Sequence, residues 1–301
     1  MLKLLAVPEG LAGERADSAV ARLTGLARTR AAELAAAGRV LMDGAAVGKS
    51  TRLVAGALLE VDLPDASSPP PEPAVELPVV YQDADLIVVD KPVGVAAHAG
   101  PGWDGPTVLG SLLAQGVCLA RGGANERRGI VQRLDVGTSG LMMVAKSEPA
   151  YSALKQMFRD RAIGKTYHAL AQGLPDPLRG TIEGPIGRLP GAFKFGIVEG
   201  GKPSITHYEV LEAYAGAALL EVRLETGRTH QIRVHLAAMG HPLVGDPFYG
   251  ADPKLAQRLG LARQWLHAQA LEFDHPVTGL PVRVESEYPA DLTAALALLR
   301  G

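Results

Sequence analysis

The chain has 301 residues, 47% of them apolar, and a single cysteine. That is enough apolar material for one large core and a smaller one, while a lone thiol excludes a disulfide framework and a cysteine-built metal site and fits a reducing compartment. The 30 lysines and arginines against 32 aspartates and glutamates leave a formal charge of −2, so any hold on nucleic acid must come from positive charge focused in one place.

The first eight residues lack the long apolar run and small-residue cleavage site of a signal peptide, and no stretch reaches the ~20 continuous apolar residues of a membrane span. A cytoplasmic protein is expected. Residues 17–23 read as a short helix opened by Asp17 and Ser18. A second helix is expected over about 29–37, closed by Gly38 as a C′ glycine. Residues 39–47 then read as strand, Asp43-Gly44 turn and strand, and residues 58–63 alternate as a further strand. Proline crowds the segment that follows, without apolar periodicity, so a semi-rigid linker is expected over 65–77. The expected domains are therefore 1–64 and 78–301.

In the second domain, residues 86–90 read as a buried strand running into Lys91, Pro92 and Gly94. Cys118 lies in an apolar run and reads as a small buried hydrophobe. Residues 121–128 form a basic, glycine-containing loop. Next comes G-I-V-Q-R-L-D-V-G-T-S-G-L-M-M-V-A-K, residues 129–146. Ile130 and Val131 before its polar centre, and Leu141 to Val144 after it, read as buried strand. Gly137 and Gly140 supply turns that tolerate positive φ. Between them stand Gln132, Arg133, Asp135, Thr138 and Ser139, polar groups that cost free energy unless paired or used. The residues alone leave two readings open: Asp135 capping the turn with Arg133 as its surface partner, or a chemical site. A serine-hydrolase elbow requires G-x-S-x-G, whereas here Gly140 follows Ser139 directly.

Ser147 is expected to cap a helix that buries Ala150, Leu154, Met157 and Phe158 and ends near Arg161. A strand over 164–171 carries Lys165 and Tyr167. Residues 173–206 read as hairpins and loops. A strand over 221–225 enters T-G-R-T-H-Q-I-R-V-H-L, residues 226–236, where Thr229 is expected to cap a helix ending at Gly240 before Pro242. Helical spacing puts His230 and Arg233 on neighbouring positions of one face. His230, His235 and His241 fail as a metal set, because histidines five apart on a helix diverge and no carboxylate stands at ligand spacing. Residues 265–268 read as strand and 291–299 as a closing apolar helix.

The run Gln132-Arg133-Leu134-Asp135 with Thr138-Ser139-Gly140-Leu141 resembles the catalytic signature H-R-L-D-x-x-T-S-G-L of the RluA-type pseudouridine synthases. Gln132 replaces the usual histidine, and Val136-Gly137 replace residues that are more often charged. The D-K-P-x-G run from Asp90, Lys165-x-Tyr167, residues 226–236 with 240–246, and Leu266-His267-Ala268 resemble the family's other motifs and follow its order. The helix pair, hairpin and closing strand of 1–64 resemble an S4-like RNA-binding domain, as in the RluD-like subgroup.

The resemblance covers nearly the full chain. It implies an α+β fold, with a mixed, mostly antiparallel catalytic sheet, flanking helices and an RNA cleft, preceded by the small S4-like module. The implied activity is isomerisation of uridine to pseudouridine in large-subunit (23S) ribosomal RNA, at helix 69. Asp135 would act on the nucleoside, Arg233 would hold it ionised, Tyr167 would lie against the uracil, and Arg133 would fill the space left by the flipped-out nucleotide. Lys91, His98, Lys165, Arg228 and His230 would line the RNA path. Arg28, Arg30, Arg39, Lys49 and Arg52 would meet phosphates on the S4-like face, although composition alone makes them a solvated surface. The reaction moves no electrons and transfers no group to another molecule, so neither cofactor nor metal is expected, and no obligate protein partner is evident. The competing classes are a non-catalytic RNA-binding assembly factor of the same fold, a synthase acting on tRNA, and a hydrolase using Ser139.

Overall fold

A computed structural model describes residues 2–26, 28–63, 73–100, 102–122, 127–191 and 194–301. Contacts divide the chain into two units, Met1–Pro70 and Pro71–Gly301.

The first unit contains β1 (Leu2–Ala6), α1 (Ala16–Thr24), α2 (Arg28–Ala36), β2 (Val40–Met42), β3 (Ala45–Ala46) and β4 (Leu58–Asp62). The strands form an antiparallel sheet in the order β1-β4-β2-β3, and Val20, Leu34, Val40, Leu59 and Val61 fill its core. At the end of α2, Gly38 takes φ 69°, Arg39 N donates to Leu34 O at 3.0 Å and Gly38 N to Ala35 O at 3.2 Å. This is a Schellman cap. Asp43 and Gly44 both have positive φ, 50° and 78°, as the tight hairpin between β2 and β3 demands. β1 is not evident from the sequence, because Leu2, Leu4 and Ala6 face outward on an exposed side of the sheet and give no clean alternation.

The second unit contains β5 (Val79–Gln82), β6 (Leu86–Lys91), α3 (Val108–Ala114), β7 (Ser139–Ala145), α4 (Glu148–Arg159), β8 (Gly164–Gln172), β9 (Arg179–Glu183), β10 (Ile186–Arg188) and β11 (Phe195–Ile197). It continues with β12 (Ile205–Tyr214), β13 (Ala217–Leu224), α5 (Gln231–Ala238), α6 (Pro253–Arg258), β14 (Leu266–Asp274), β15 (Pro281–Glu285) and α7 (Ala290–Arg300). A nine-stranded sheet runs β5-β6-β7-β14-β8-β13-β12-β9, with β15 on β14. Only β7 and β14 pair in parallel; the other ladders of this sheet are antiparallel. This is the α+β architecture expected.

β7 is buried along its whole length, and its pleat explains the unbroken apolar run. Met142 and Val144 face one core with Ile87, Val89 and Ala169, while Leu141 and Met143 face another with Leu86, Val88 and Leu154 of α4. Ser147 caps α4 as expected, its hydroxyl accepting from Ala150 N at 3.3 Å.

Three local expectations are corrected and one is met. Ile130 and Val131 are not a strand: β6 takes one edge of β7 and β14 the start of the other, leaving Ile130 a single bridge to Val144. Gly140 does need its positive φ, 108°, and a Cβ there would lie 2.3 Å from the Ala268 carbonyl of the parallel neighbour. Gly137 has no positive φ; its Cβ would strike the Gln264 amide at 2.6 Å, so close approach excludes a side chain there. Cys118 is exposed, because its neighbours Val117 and Leu119 turn toward the core and the residue between them turns away.

Residues 64–72 and 123–126 lie outside the described residues, and with them most of the expected linker and half of the basic loop. Residues 73–77, expected to be linker, pack on the second unit instead: Val75 N donates to Ser111 Oγ at 3.1 Å, and Leu77 is buried in the core. Among the described residues no helix is long and apolar enough to cross a membrane.

Candidate active site

Asp135 opens the turn that leads into β7, with Thr138 N donating to its carbonyl at 3.0 Å. The turn is clamped by the residues just before β14. Gln264 Nε2 donates to Thr138 Oγ1 at 3.3 Å, and Arg263 Nη1 donates to the Gly137 carbonyl and to Ser139 Oγ, both at 3.2 Å. The Arg263 fork is held in turn by Asp291 of α7, at 2.7 and 2.9 Å. Ser139 Oγ lies 3.0 Å from His267 Nδ1, whose other nitrogen is 3.1 Å from Ser286 Oγ, and Ser286 donates to Asp90 at 2.8 Å. Ser139 and His267 are buried, so this relay is a support beneath the turn. The hydrolase reading of Ser139 finds no opening there.

The other half of the site comes from the start of α5. Thr229 does not cap it. His230 occupies the cap position in the left-handed region, φ 57°, with no side-chain cap bond. The loop is satisfied instead by Gln231, whose Oε1 accepts from Thr226 Oγ1 at 2.8 Å and Arg228 N at 3.0 Å, while its Nε2 donates to Ile205 O and Thr206 Oγ1, both at 3.0 Å. α5 ends at a Schellman cap on Gly240, φ 82°, before Pro242.

Arg233 projects from α5 and is 3% exposed. Its Nε and Nη2 donate to the two oxygens of Asp246 at 2.7 and 2.9 Å, and its Nη1 donates to Asp135 Oδ2 at 3.2 Å. One guanidinium thus joins two carboxylates, with the Tyr249 ring 5.0 Å away. Burial works against its charge, but Asp246 and Asp135 outweigh burial and raise its pKa above the ordinary value, so it stays cationic. The Asp246 side chain is fully buried, whereas that of Asp135 retains 16% exposure. Asp135 is therefore the carboxylate that meets the outside.

Tyr167 of β8 forms a wall of the same opening. Burial first, then the Asp135 charge, push its phenol well above the ordinary range, so it is neutral at physiological pH. Asp135, Arg133, Thr138, Tyr167, Arg228, His230 and Arg233 line a pocket of about 60 Å³. It adjoins a larger cavity of about 510 Å³ that shares Arg133, Tyr167 and Arg228 and adds His98, Arg127, Arg159, Arg161, Lys165 and Glu225. Six cationic side chains against one carboxylate supply the local positive charge that a chain of net −2 must concentrate somewhere.

The structure thus brings together Asp135, Tyr167, Arg233, Arg133, Arg228 and His230, and places His98 and Lys165 on the adjoining cavity. It does not place Lys91 there. That lysine is fully buried, and its ammonium donates to the carbonyls of Pro92 and Val95, both at 2.9 Å, bracing the loop after β6. It is shut away from any surface that could line a path for RNA, because the loop after β6 folds over it. In the first unit, Arg28 pairs with Asp17 at 3.3 Å, Arg30 with Glu33 at 2.8 Å and Arg39 with Asp62 at 2.9 Å. Arg52 donates to Gly13 O at 2.9 Å, and Lys49 is exposed. Sequence reasoning gives no role to Asp246, Tyr249, Arg263 or Gln264. The signal for Asp246 is an acid set among Pro242, Leu243, Val244 and Gly245, which needs a buried partner.

Lys91 carries a pH prediction. Burial pulls its pKa from an ordinary 10.5 down to about 7. The unfolded chain therefore binds the extra proton across that window, and folding stability rises as pH climbs through it. The melting temperature is expected to increase from neutral pH toward about pH 9, and Lys91→Met to flatten that rise. A natural chain with no such slope would show that the ammonium keeps its charge when folded.

A mostly antiparallel sheet with one open carboxylate tethered to a buried arginine in a cationic cleft has the form of an enzyme active site. Residues 85–238 match the family described as RNA pseudouridylate synthase. The chain is 57% identical over 299 residues to an uncharacterised RNA pseudouridine synthase of Mycobacterium bovis, covering 98% of this chain and 97% of that one. It is 39% identical over 306 residues to the ribosomal large subunit pseudouridine synthase D of Pseudomonas aeruginosa, covering 98% and 94%. The solved structure of human RNA pseudouridylate synthase domain containing 1 superposes with a TM-score of 0.59 at 32% identity, covering 73% of this chain and 87% of that one. The chain belongs to the RluA-type RNA pseudouridylate synthase family and is an isomerase.

Proposed function

We propose that this chain converts uridine to pseudouridine in large-subunit ribosomal RNA, at helix 69, with Asp135 as the group that acts on the nucleoside. The observation that carries the reading is the Asp135 carboxylate, one oxygen 3.2 Å from Arg233, open to a pocket walled by Tyr167 and Arg133. The name of the Pseudomonas relative, a ribosomal large subunit synthase, supports the choice of RNA.

The reaction breaks the bond between ribose C1′ and uracil N1, turns the base, joins C1′ to C5, and moves the C5 proton off as N1 gains one. Atoms balance without a second substrate. Attack of the carboxylate at C1′ and removal of a ribose proton both require an ionised acid beside the sugar, and a cationic partner favours that form. Tyr167, neutral and buried, offers the uracil a ring face, and its raised pKa disfavours a phenolate base. A paired uridine must leave its stack, at a few kcal/mol; Arg133, exposed at the mouth, would occupy the vacated space. Arg127, Arg159, Arg161, Lys165 and Arg228 would take flanking phosphates.

Residues 1–64 serve in this reading as an S4-like RNA-binding module and 78–301 as the catalytic domain, in a cytoplasmic enzyme without an obligate protein partner. The carboxylate pairs of Arg28, Arg30 and Arg39 temper the charge of that module's face.

Mapping pseudouridines across cellular RNA in a strain lacking this protein tests the assignment. Loss of helix-69 sites, restored by the gene, is the expected outcome. Loss confined to tRNA would move the substrate, and an unchanged map would favour a non-catalytic binder.

A further inference from the structure

We propose that His230, locked by Tyr249 as the tautomer with its proton on Nε2, is a positioning residue that donates to Asp135 Oδ2 when substrate enters, leaving Oδ1 to react. The inference rests on the reading of Asp135 as the acting group.

The hydrogen-bond pattern sets the tautomer. The Tyr249 hydroxyl lies 2.7 Å from His230 Nδ1, and its oxygen already accepts from Phe195 N at 3.2 Å. With the phenolic proton given to Nδ1, the Tyr249 hydroxyl both donates and accepts, which places the imidazole proton on Nε2. The opposite tautomer would aim two N–H groups at one oxygen and leave the phenolic proton without an acceptor among the described residues. The ring is held edge-on to Phe195 and to Tyr249, centroids 5.7 and 5.6 Å apart. Its left-handed backbone, φ 57°, sets the direction in which the side chain leaves the chain.

That direction is toward the acid. Nε2 lies 3.8 Å from Asp135 Oδ2, beyond hydrogen-bond reach, and so within one small movement of it. Oδ2 already accepts from Arg233, and among the described residues nothing donates to Oδ1. A carboxylate that reacts through one oxygen is best held by the other. A neutral donor does this without a second positive charge to damp its reactivity, as a further arginine would. The charges facing the ring are Asp135, Arg233, Asp246 and Arg133; burial outweighs them and lowers the imidazole pKa below its ordinary value, which keeps it neutral at the pH of the assay.

Two measurements test this on the full chain. Nitrogen-15 spectra of the histidines at about pH 7.5, with His230 assigned by its loss in His230→Ala, should show the Nε2–H tautomer, and Tyr249→Phe should yield a tautomer mixture with a raised His230 pKa. In single-turnover assays on an RNA stem-loop, His230→Ala should slow isomerisation about 10- to 100-fold with RNA affinity changed less than about threefold. His230→Gln, whose amide N–H reaches the place of Nε2–H, should recover most of that loss, with unchanged melting temperatures confirming folding. An Nδ1–H tautomer, an undiminished His230→Ala rate, or a glutamine variant no better than alanine would overturn the proposal. Asp135→Asn in the same assay separates the causes. If it is inactive beside a full-rate His230→Ala, only the present inference fails; if it is active, the reading of Asp135 fails first.

Discussion

Asp135→Asn is expected to lower the rate of pseudouridine formation by about 10⁴-fold or more, while RNA affinity changes by less than about threefold. Asparagine keeps the shape of aspartate and can still accept from Arg233 Nη1, which donates to Oδ2 at 3.2 Å. Arg233 also keeps its fork to Asp246, so no buried charge is abandoned and the fold should hold. What disappears is the negative charge: an amide neither attacks C1′ nor accepts a ribose proton at neutral pH. In the proposed reading RNA is held by the cations of the adjoining cavity, which the change leaves in place. The measurement is single-turnover isomerisation beside filter binding at fixed salt, since affinities for RNA shift steeply with ionic strength. A variant that loses RNA but isomerises normally whatever it still binds would make Asp135 a binding residue.

Much of this site is legible in the amino-acid sequence, and for identifiable reasons. The turn from Asp135 to Gly140 announces itself because β7, buried on both faces, supplies an apolar run that makes the polar residues before it conspicuous. Gly38, Asp43-Gly44 and Ser147 declare element ends through local chemistry, which sequence carries directly. The misses involve contacts set by the return path of the chain. Nothing near Lys91 says that the next four residues fold over it, and nothing near Arg233 says that Asp246 will close beneath it after a Schellman cap. Thr229 outranks His230 as a cap by propensity; the Gln231 side chain overrides propensity by satisfying the loop itself. Ile130 and Val131 have the composition of a strand, but the pairing on β7 stops at the single Ile130–Val144 bridge.

Asp246→Ala should destabilise the second unit by about 3–5 kcal/mol, the usual consequence of orphaning one member of a buried ion pair. Arg233 is 3% exposed, and without Asp246 two of its donors face packed core with no acceptor. The Phe248 N–H, which donates to Asp246 Oδ1 at 2.9 Å, loses its partner too. Arg233 would relieve the strain by turning further onto Asp135, so activity should fall along with stability. The double variant Arg233→Met, Asp246→Leu distinguishes the two effects. Filling the space with apolar groups should restore much of the stability, because a buried pair often contributes little over a hydrophobic replacement. Activity should stay low, because Asp135 then loses its cationic partner. Urea unfolding followed by tryptophan fluorescence suits the measurement, since both tryptophans, Trp103 and Trp265, lie in the second unit. A loss below about 1 kcal/mol for Asp246→Ala would mean that water reaches Arg233 in solution. A double variant with restored activity would mean that Asp135 works without a guanidinium beside it, and the account of Arg233 as its partner would fall with it.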